Sequence, residues 1–266
     1  MHCVVARNAP HLREIVQHEL LCLGYGCSLN HIDVSRVDDF SWLFNESEFD
    51  GDISGWDMSN ATNLTAMFRQ SYFGGDISHW NTKNVVHAGL LFAYCPFNGD
   101  ISRWNTSKLV DAYDMFGHSG FSGNVAAWDV SAVVNMNGMF ANSEFSGDVS
   151  SWQVGRVRDM DRMFDQLHGT FNLRGWVPQR LRKAEAFVSG ECLDAMDEPC
   201  FYHWYAALTQ GYQLRSPWQQ YLTSLLPIVK TFHRYPTGIA VCMQEQWIQQ
   251  GRAYSEEFLS LPSLED

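Results

Sequence analysis

Three groups of residues in this 266-residue chain have types that chemistry uses. Cys200 and His203 stand three apart, close to Asp197. A thiol, an imidazole and a carboxylate are the parts of a nucleophilic site, provided the base reaches the thiol, a third group orients it and a cleft holds substrate. Such sites are defined by geometry and not by sequence interval. The aromatic neighbours Phe201, Tyr202, Trp204 and Tyr205 favour plain packing for this pair. The second group is a column of acids, Asp52, Asp76, Asp100 and Asp148, with Asn124 in the fourth place. Stacked aspartates in glycine-rich turns can hold calcium, but one carboxylate per turn falls short of the six to eight oxygens that calcium takes. The favoured reading is that each Asp bonds nearby amides and stabilises its own turn. The third group is Trp56, Trp80, Trp104, Trp128 and Trp152. A row of indoles could stack sugars or bases; a repeating aromatic is more often core. His2, His11 and His18 have no metal-ligand spacing, and neither a phosphate loop nor a nucleophile elbow occurs. The sequence therefore assigns no catalytic residue, no cofactor and no metal, and the chain reads as a non-enzyme.

What positions these residues is a repeat. Phe49-Asp50-Gly51-Asp52-Ile53-Ser54-Gly55-Trp56 returns from Phe73, Phe97, Phe121 and Phe145 at intervals of 24 residues. A second block keeps the same interval: Phe68, Phe92, Phe116, Phe140 and Phe164, each after Met or Leu. A fixed period of this length marks a solenoid, in which each turn buries its apolar face against its neighbours. Gly-Asp makes a tight turn, with glycine supplying backbone freedom. Ile53 to Met58 reads as an extended segment that stacks into a parallel sheet, bent between Ile53 and Trp56. Ser59, Ser107 or Ser131 then caps one or two helical turns, whose apolar residues, as in Val133, Met136, Met139 and Phe140, fall on one face.

Reading outward gives four segments. Residues 1–24 form an N-terminal cap: a short apolar run, then a helix capped by Asn8, started by Pro10, carrying Leu12, Ile15, Val16, Leu20 and Leu23 on one stripe and ended at Gly24 or Gly26. Residues 25–176 are about six repeat turns, the first degenerate, with Tyr25 in the Phe place. The pattern stops at Pro178; residues 177–254 read as an all-α domain that begins with a short helix from Leu181 to Val188, and 255–266 as a loose tail.

Charge narrows the partners. The net charge is −12, and residues 25–176 carry 18 Asp and Glu against 9 Lys and Arg. An acidic repeat surface argues against direct binding to nucleic-acid phosphates, which needs basic patches. It suits a protein with a basic surface. The seven cysteines are irregularly spaced and include no CxxC pair, which suggests neither a disulfide framework nor a zinc site. No signal peptide is read at the N-terminus and no apolar stretch reads as long enough to span a bilayer, so the expected compartment is the cytoplasm. Columns that vary while the core stays constant are where specificity would reside. One runs beside the Trp and includes His79, Arg103 and Ser151. The other includes His87, Asp111 and Asp159 on the helical side.

The motif F-x-G-D-I-S-x-W-x-x-S-x-V-x-x-M-x-x-M-F resembles the BspA-like leucine-rich-repeat family, including mycoplasma-lipoprotein-type surface proteins. The resemblance covers residues 25–176 with no gaps across five turns. It implies an α/β repeat solenoid, a right-handed leucine-rich-repeat-like coil used for protein–protein contact, and it supplies no catalytic residues. The resulting expectation is an interaction scaffold: an inhibitor or adaptor of phage or mobile-element origin that blocks a basic surface of a host nuclease or defence complex. Homodimerisation through the aromatic C-terminal domain is a further expectation. The alternatives are an enzyme with its site in that domain, tested at Cys200 and His203, and a surface adhesin.

Overall fold

The computed structural model describes residues 3–167, 173, 176, 178–184 and 187. The chain divides into two units, Met1–Gln213 and Leu214–Asp266, and every described residue lies in the first.

The chain opens with β1 (Val4–Val5), α1 (Ala9–Leu23) and β2 (Ile32–Asp33). β1 and β2 pair in parallel, Val4 against Ile32 and Val5 against Asp33. Asn8 caps α1 by accepting the His11 N–H at 3.0 Å, and Pro10 sits in the first turn, where its missing N–H costs nothing. Gly24, at φ 84°, closes the other end. Leu12 and Val16 are buried, whereas Leu23, expected on the same stripe, is 55% exposed. Tyr25, expected in the core, is also exposed. Arg13 of α1 reaches across to the first repeat unit, donating to the Ser41 carbonyl at 2.8 Å and lying 4.0 Å from Asp39.

The repeat units pair with one another in parallel. Single bridges join Asp39 to Asn63, Asn63 to His87, His87 to Asp111, Asp111 to Asn135 and Asn135 to Asp159, always one period apart. A further bridge joins Asp159 to Lys183. Phe164 N–H also bonds the Phe187 carbonyl at 2.9 Å, and Trp176, Leu181, Ala184 and Phe187 are buried. The pattern therefore passes the boundary expected after residue 176. The described residues 181–184 bridge to the preceding unit and form no helix. The remainder of 177–254, and the tail 255–266, lie outside the described residues.

Two expectations about the unit itself are corrected. Among the described residues, no helix occurs inside the repeat, and the inter-unit hydrogen bonds lie in the stretch expected to be helical, not along Ile53 to Met58. The backbone accounting shows why. In the unit beginning at Phe49, the N–H groups of Leu64, Ala66, Phe68 and Gln70 donate to the carbonyls of His87, Gly89, Leu91 and Ala93 in the next unit. The intervening N–H groups of Met67, Arg69 and Ser71 fold back on Leu64, Ala66 and Phe68. The donors thus alternate between the neighbouring unit and a local turn, and every one of them is satisfied without a helix. The overlapping turns need a left-handed residue at every fourth place, and non-glycine residues fill it: Ala66 (φ 54°), Gln70 (φ 52°), Leu90 (φ 60°), Tyr94 (φ 58°) and their counterparts. Only at Gly138 (φ 63°) does glycine take one of these places.

The second correction concerns Gly51 and its copies. None of Gly51, Gly75, Gly99, Gly123 and Gly147 has positive φ. Each is required because the Phe two residues earlier folds its ring over the α-carbon; a Cβ on Gly99 would lie 2.7 Å from Phe97, and one on Gly147 2.7 Å from Phe145. The glycine is a packing requirement.

The core is a set of aromatic rows. Phe68 and Phe92 lie with ring centroids 5.6 Å apart, Phe92 and Phe116 5.8 Å, Phe116 and Phe140 5.6 Å, and Phe140 and Phe164 6.0 Å, all near-parallel. A second row runs Phe49, Phe73, Phe97 at 6.1 and 6.2 Å. Offset parallel rings at such distances are favourable beyond simple burial.

Candidate interaction surface

The repeat sorts its residues into those held inside and those left to solvent. Trp56, Trp80, Trp104, Trp128 and Trp152 are all inside, each 6% exposed or less. Their indole N–H groups donate to the carbonyls of Leu29, Ile53, Ile77, Ile101 and Val125 at 3.0 to 3.3 Å. The row is thus a rivet between units and offers no free ring face to a sugar or a base.

The aspartate column is occupied by its own backbone. Asp52, Asp76, Asp100 and Asp148 accept the N–H of the serine two residues on at 2.8 to 2.9 Å, and Asn124 does the same for Ala126. The backbone and hydroxyl of those serines hold the four carboxyls below the usual carboxylate range. They stay ionised and exposed, one period apart from Asp52 to Asp100 and two from Asp100 to Asp148. Among the described residues, no group of three or more His, Cys, Asp and Glu is placed to hold a metal ion.

The two varied columns have different surroundings. Gly55, His79, Arg103, Ala127 and Ser151 are all exposed beside the buried tryptophans, and Ser151 bonds back to the Ala126 carbonyl at 2.9 Å. The column of Asn63, His87, Asp111, Asn135 and Asp159 lies on the bridges themselves. Here Asn63, Asp111, Asn135 and Asp159 accept the N–H two residues on at 3.0 to 3.2 Å, so their side chains shape the chain as well as meeting solvent. His87 is the exposed exception without such a bond. Lys183 pairs with Asp159 at 3.4 Å.

Sequence reasoning missed the left-handed positions of the ladder, which form two columns: Glu46, Gln70, Tyr94, His118, Asn142 and Gln166 are exposed, while the other runs from exposed Trp42 through buried Ala66 to buried Gly138. Trp42, Tyr94 and, beside them, Tyr113 are exposed aromatics. Tyr94 and His118 occupy equivalent places in adjacent units, and their rings lie face to face with centroids 4.4 Å apart and planes at 6°. Asp114 stands between Leu90 and Gly138 in the parallel column. Burial pushes its carboxyl up to about 6, partly offset by the charge of Arg69. The period alone could have flagged these columns, since their members vary from unit to unit, but nothing in the residue types signals positive φ.

Cys95 occupies a serine column and is buried, with Sγ 3.6 Å from Ser71 Oγ; burial raises its thiol pKa. Cys200 and His203 lie outside the described residues. No helix among the described residues is long and apolar enough to cross a membrane.

Comparison with known proteins adds one result. No curated protein and no solved structure matches the chain. A family model described as "Mycoplasma protein of unknown function, DUF285" matches twice, over residues 24–120 and 96–192, which together span the repeat and its continuation past Trp176. That span is more than half of the chain, and the chain belongs to this family of Mycoplasma proteins of unknown function, DUF285.

Proposed function

We propose that residues 25–176 and their continuation form a solenoid of the leucine-rich-repeat type. On this reading the protein is a non-enzymatic scaffold that binds the basic surface of a protein partner. The observation that carries this reading is the division of labour within each unit. The same buried Phe and Trp rows recur unchanged, while exposed positions on the same frame differ from unit to unit. The Asp52, Asp76, Asp100 and Asp148 carboxylates add a row of fixed negative charge, held ionised by their own turns. Repeated frames suit extended partners because contacts accumulate unit by unit, and fixed charge steers a basic partner onto them. The partner class that fits is a nucleic-acid-binding protein, such as a host nuclease or defence complex, encountered in the cytoplasm.

The test is capture from native lysate with the full chain, beside a variant carrying Asp76→Lys, Asp100→Lys and Asp148→Lys. A partner with a basic surface, lost at high salt and lost with the variant, is the expected result. Capture that ignores both salt and charge reversal would count against the electrostatic part. Retention of an enzymatic activity that disappears with Cys200→Ala or His203→Ala would replace this reading with the catalytic one.

A further inference from the structure

One row of side chains changes character along the repeat. Thr62, Val86, Val110, Val134, Arg158 and Arg182 lie in register, one period apart. From Val86 onward, each N–H bonds the carbonyl of the preceding member of the row, at 2.8 to 2.9 Å. Parallel pairing of this kind sets neighbours about 4.8 Å apart. The three valines are half-buried and the two arginines exposed. Arg156 and Arg180 stand two residues earlier and are also exposed, while Val157 and Leu181 between them are buried. Two neighbouring units therefore carry four guanidinium groups on the side that leads on from the valine row.

These arginines take no part in holding the frame. In earlier units the place of Arg156 belongs to Asn60, Asn84 and Lys108, and their side chains bond the unit before. Asn60 Nδ2 donates to the Ser35 carbonyl at 2.6 Å, Asn84 Nδ2 to the Ser59 carbonyl at 2.8 Å, and Lys108 Nζ to Asn84 Oδ1 at 2.7 Å. By contrast, no hydrogen bond or ion pair among the described residues reaches the side chain of Arg156, Arg158, Arg180 or Arg182. The acid next to Arg158 in the chain, Asp159, is already engaged: it accepts the Asp161 N–H at 3.0 Å and pairs with Lys183 at 3.4 Å. The whole sequence has 30 Asp and Glu against 18 Lys and Arg, so four uncompensated cations side by side are not the by-product of a basic chain.

We infer that the valine row and the four arginines form a docking surface for an extended segment of a protein partner, apolar where it meets the valines and acidic where it meets the arginines. From Val86 to Arg182 the row makes four steps, about 19 Å, the length of about six extended residues. The planar fork of arginine takes both oxygens of a carboxylate, and arginines on adjacent units offer two such forks to one short segment. A polynucleotide fits less well. Its evenly spaced phosphates would lie on the valines too, and close to Asp111, which follows Val110 in the chain. This inference rests on the scaffold reading above and adds a contact opposite in sign to the aspartate column, which fixes the direction in which a partner lies.

The probes are three end-blocked peptides, titrated calorimetrically into the full chain at neutral pH and low salt: Val-Pro-Val-Glu-Asp-Glu, its neutral counterpart Val-Pro-Val-Gln-Asn-Gln, and Ser-Pro-Ser-Glu-Asp-Glu. Saturable binding of the first is expected, with the neutral peptide weaker by about tenfold or more. The serine peptide should be weaker by about fivefold or more, through the lost apolar contact. Combining Arg158→Gln with Arg182→Gln should weaken the first peptide by about tenfold, while Arg7→Gln leaves it unchanged. Thermal melts establish that each variant is folded. Equal binding of the acidic and neutral peptides, no saturable binding, or normal binding by the folded double variant would each overturn the assignment. So would a short oligothymidylate that binds more tightly than the peptide and is lost with the same arginines, since the occupant would then be nucleic acid. A lysate partner that is lost with the Asp76, Asp100 and Asp148 reversals but kept by the double arginine variant leaves the scaffold standing and removes this surface.

Discussion

Replacing Trp104 by Phe tests whether the tryptophan row joins the repeat units together. Trp104 is 6% exposed, lies between Trp80 at 6.3 Å and Trp128 at 6.4 Å, and donates its indole N–H to the Ile77 carbonyl at 3.1 Å. That carbonyl also accepts the Trp80 N–H at 3.2 Å, so it keeps one bond when the indole is gone. The lost hydrogen bond is then worth about 1 kcal/mol, and not the full penalty of an orphaned acceptor. Removing the five-membered ring from a packed row adds about 1 to 2 kcal/mol for lost contacts and residual cavity. The expected total is about 2 to 3 kcal/mol. In a cooperative unit of this size, that lowers Tm by about 5 to 10 °C. The assay is thermal or urea unfolding of the full chain followed by tryptophan fluorescence and circular dichroism. A loss below about 0.5 kcal/mol is what a surface aromatic gives, and it would refute the rivet.

Four further outcomes follow from the same structure. Gly99→Ala forces a Cβ to 2.7 Å from the Phe97 ring and should cost about 1 to 3 kcal/mol by urea unfolding, although the substitution is mild elsewhere. Gln70→Gly should stabilise by about 0.5 to 1 kcal/mol, because it relieves a residue at φ 52°, whereas Gln17→Gly in the interior of α1 should destabilise by about 1 kcal/mol. In native protein, iodoacetamide should label the exposed Cys3 and Cys22 and spare the buried Cys95, as read by peptide mass spectrometry. Asp114 is expected to make stability rise as pH falls from 7 through about 6 toward the unfolded carboxyl value, because the folded state holds the proton more tightly. Asp114→Asn should remove that rise, by about 1 kcal/mol after allowance for partial solvent exposure. The depressed carboxyls of Asp52, Asp76, Asp100 and Asp148 act in the opposite sense, with their stabilisation lost only as pH drops below about 4 through their folded values.

The period and the buried rows were legible because each depends on residue type, and so was the recurrence of the glycines, though not their role. A Phe every 24 residues with a Gly two places on is a packing statement written directly in the chain. The ladder was not legible. Val133, Met136, Met139 and Phe140 have helical spacing and are all buried, yet the Met136 N–H goes to the Asp159 carbonyl of the next unit and the Met139 N–H folds back on Met136. Helical periodicity reports which side chains share a face, and a ladder of overlapping turns can meet the same requirement with different hydrogen bonds. Leu90 and Tyr94 at positive φ announce nothing, since neither type favours that region. The continuation past residue 176 was hidden because Lys183 and Phe187 keep the backbone pairing without the Gly-Asp signature.

The alternation of donors gives the repeat a direction. The N–H groups of Leu64, Ala66, Phe68 and Gln70 and their copies point toward the C-terminal neighbour, whereas those of Thr62 and Asn63 and their copies point back to the carbonyl of Asp38 or its counterpart in the unit before. The two sides of a unit are therefore different surfaces: toward the next unit it offers the N–H groups of Leu64, Ala66, Phe68 and Gln70 and the Thr62 carbonyl, and toward the previous one the carbonyls of Asn63, Thr65, Met67 and Arg69 and the N–H groups of Thr62 and Asn63. A unit can follow another in only one orientation, because the backbone pairing and the indole bonds of the Trp row both have a fixed direction. Lengthening the protein by one whole period needs no new kind of interface, while a single inserted residue would take both the backbone pairing and the buried Phe and Trp rows out of register. At the N-terminal end the outward carbonyl of Ser41 is met by Arg13, so the helix that begins the chain also closes the row to a second molecule arriving in register. Loss of α1 would leave the Ser41 carbonyl without that partner.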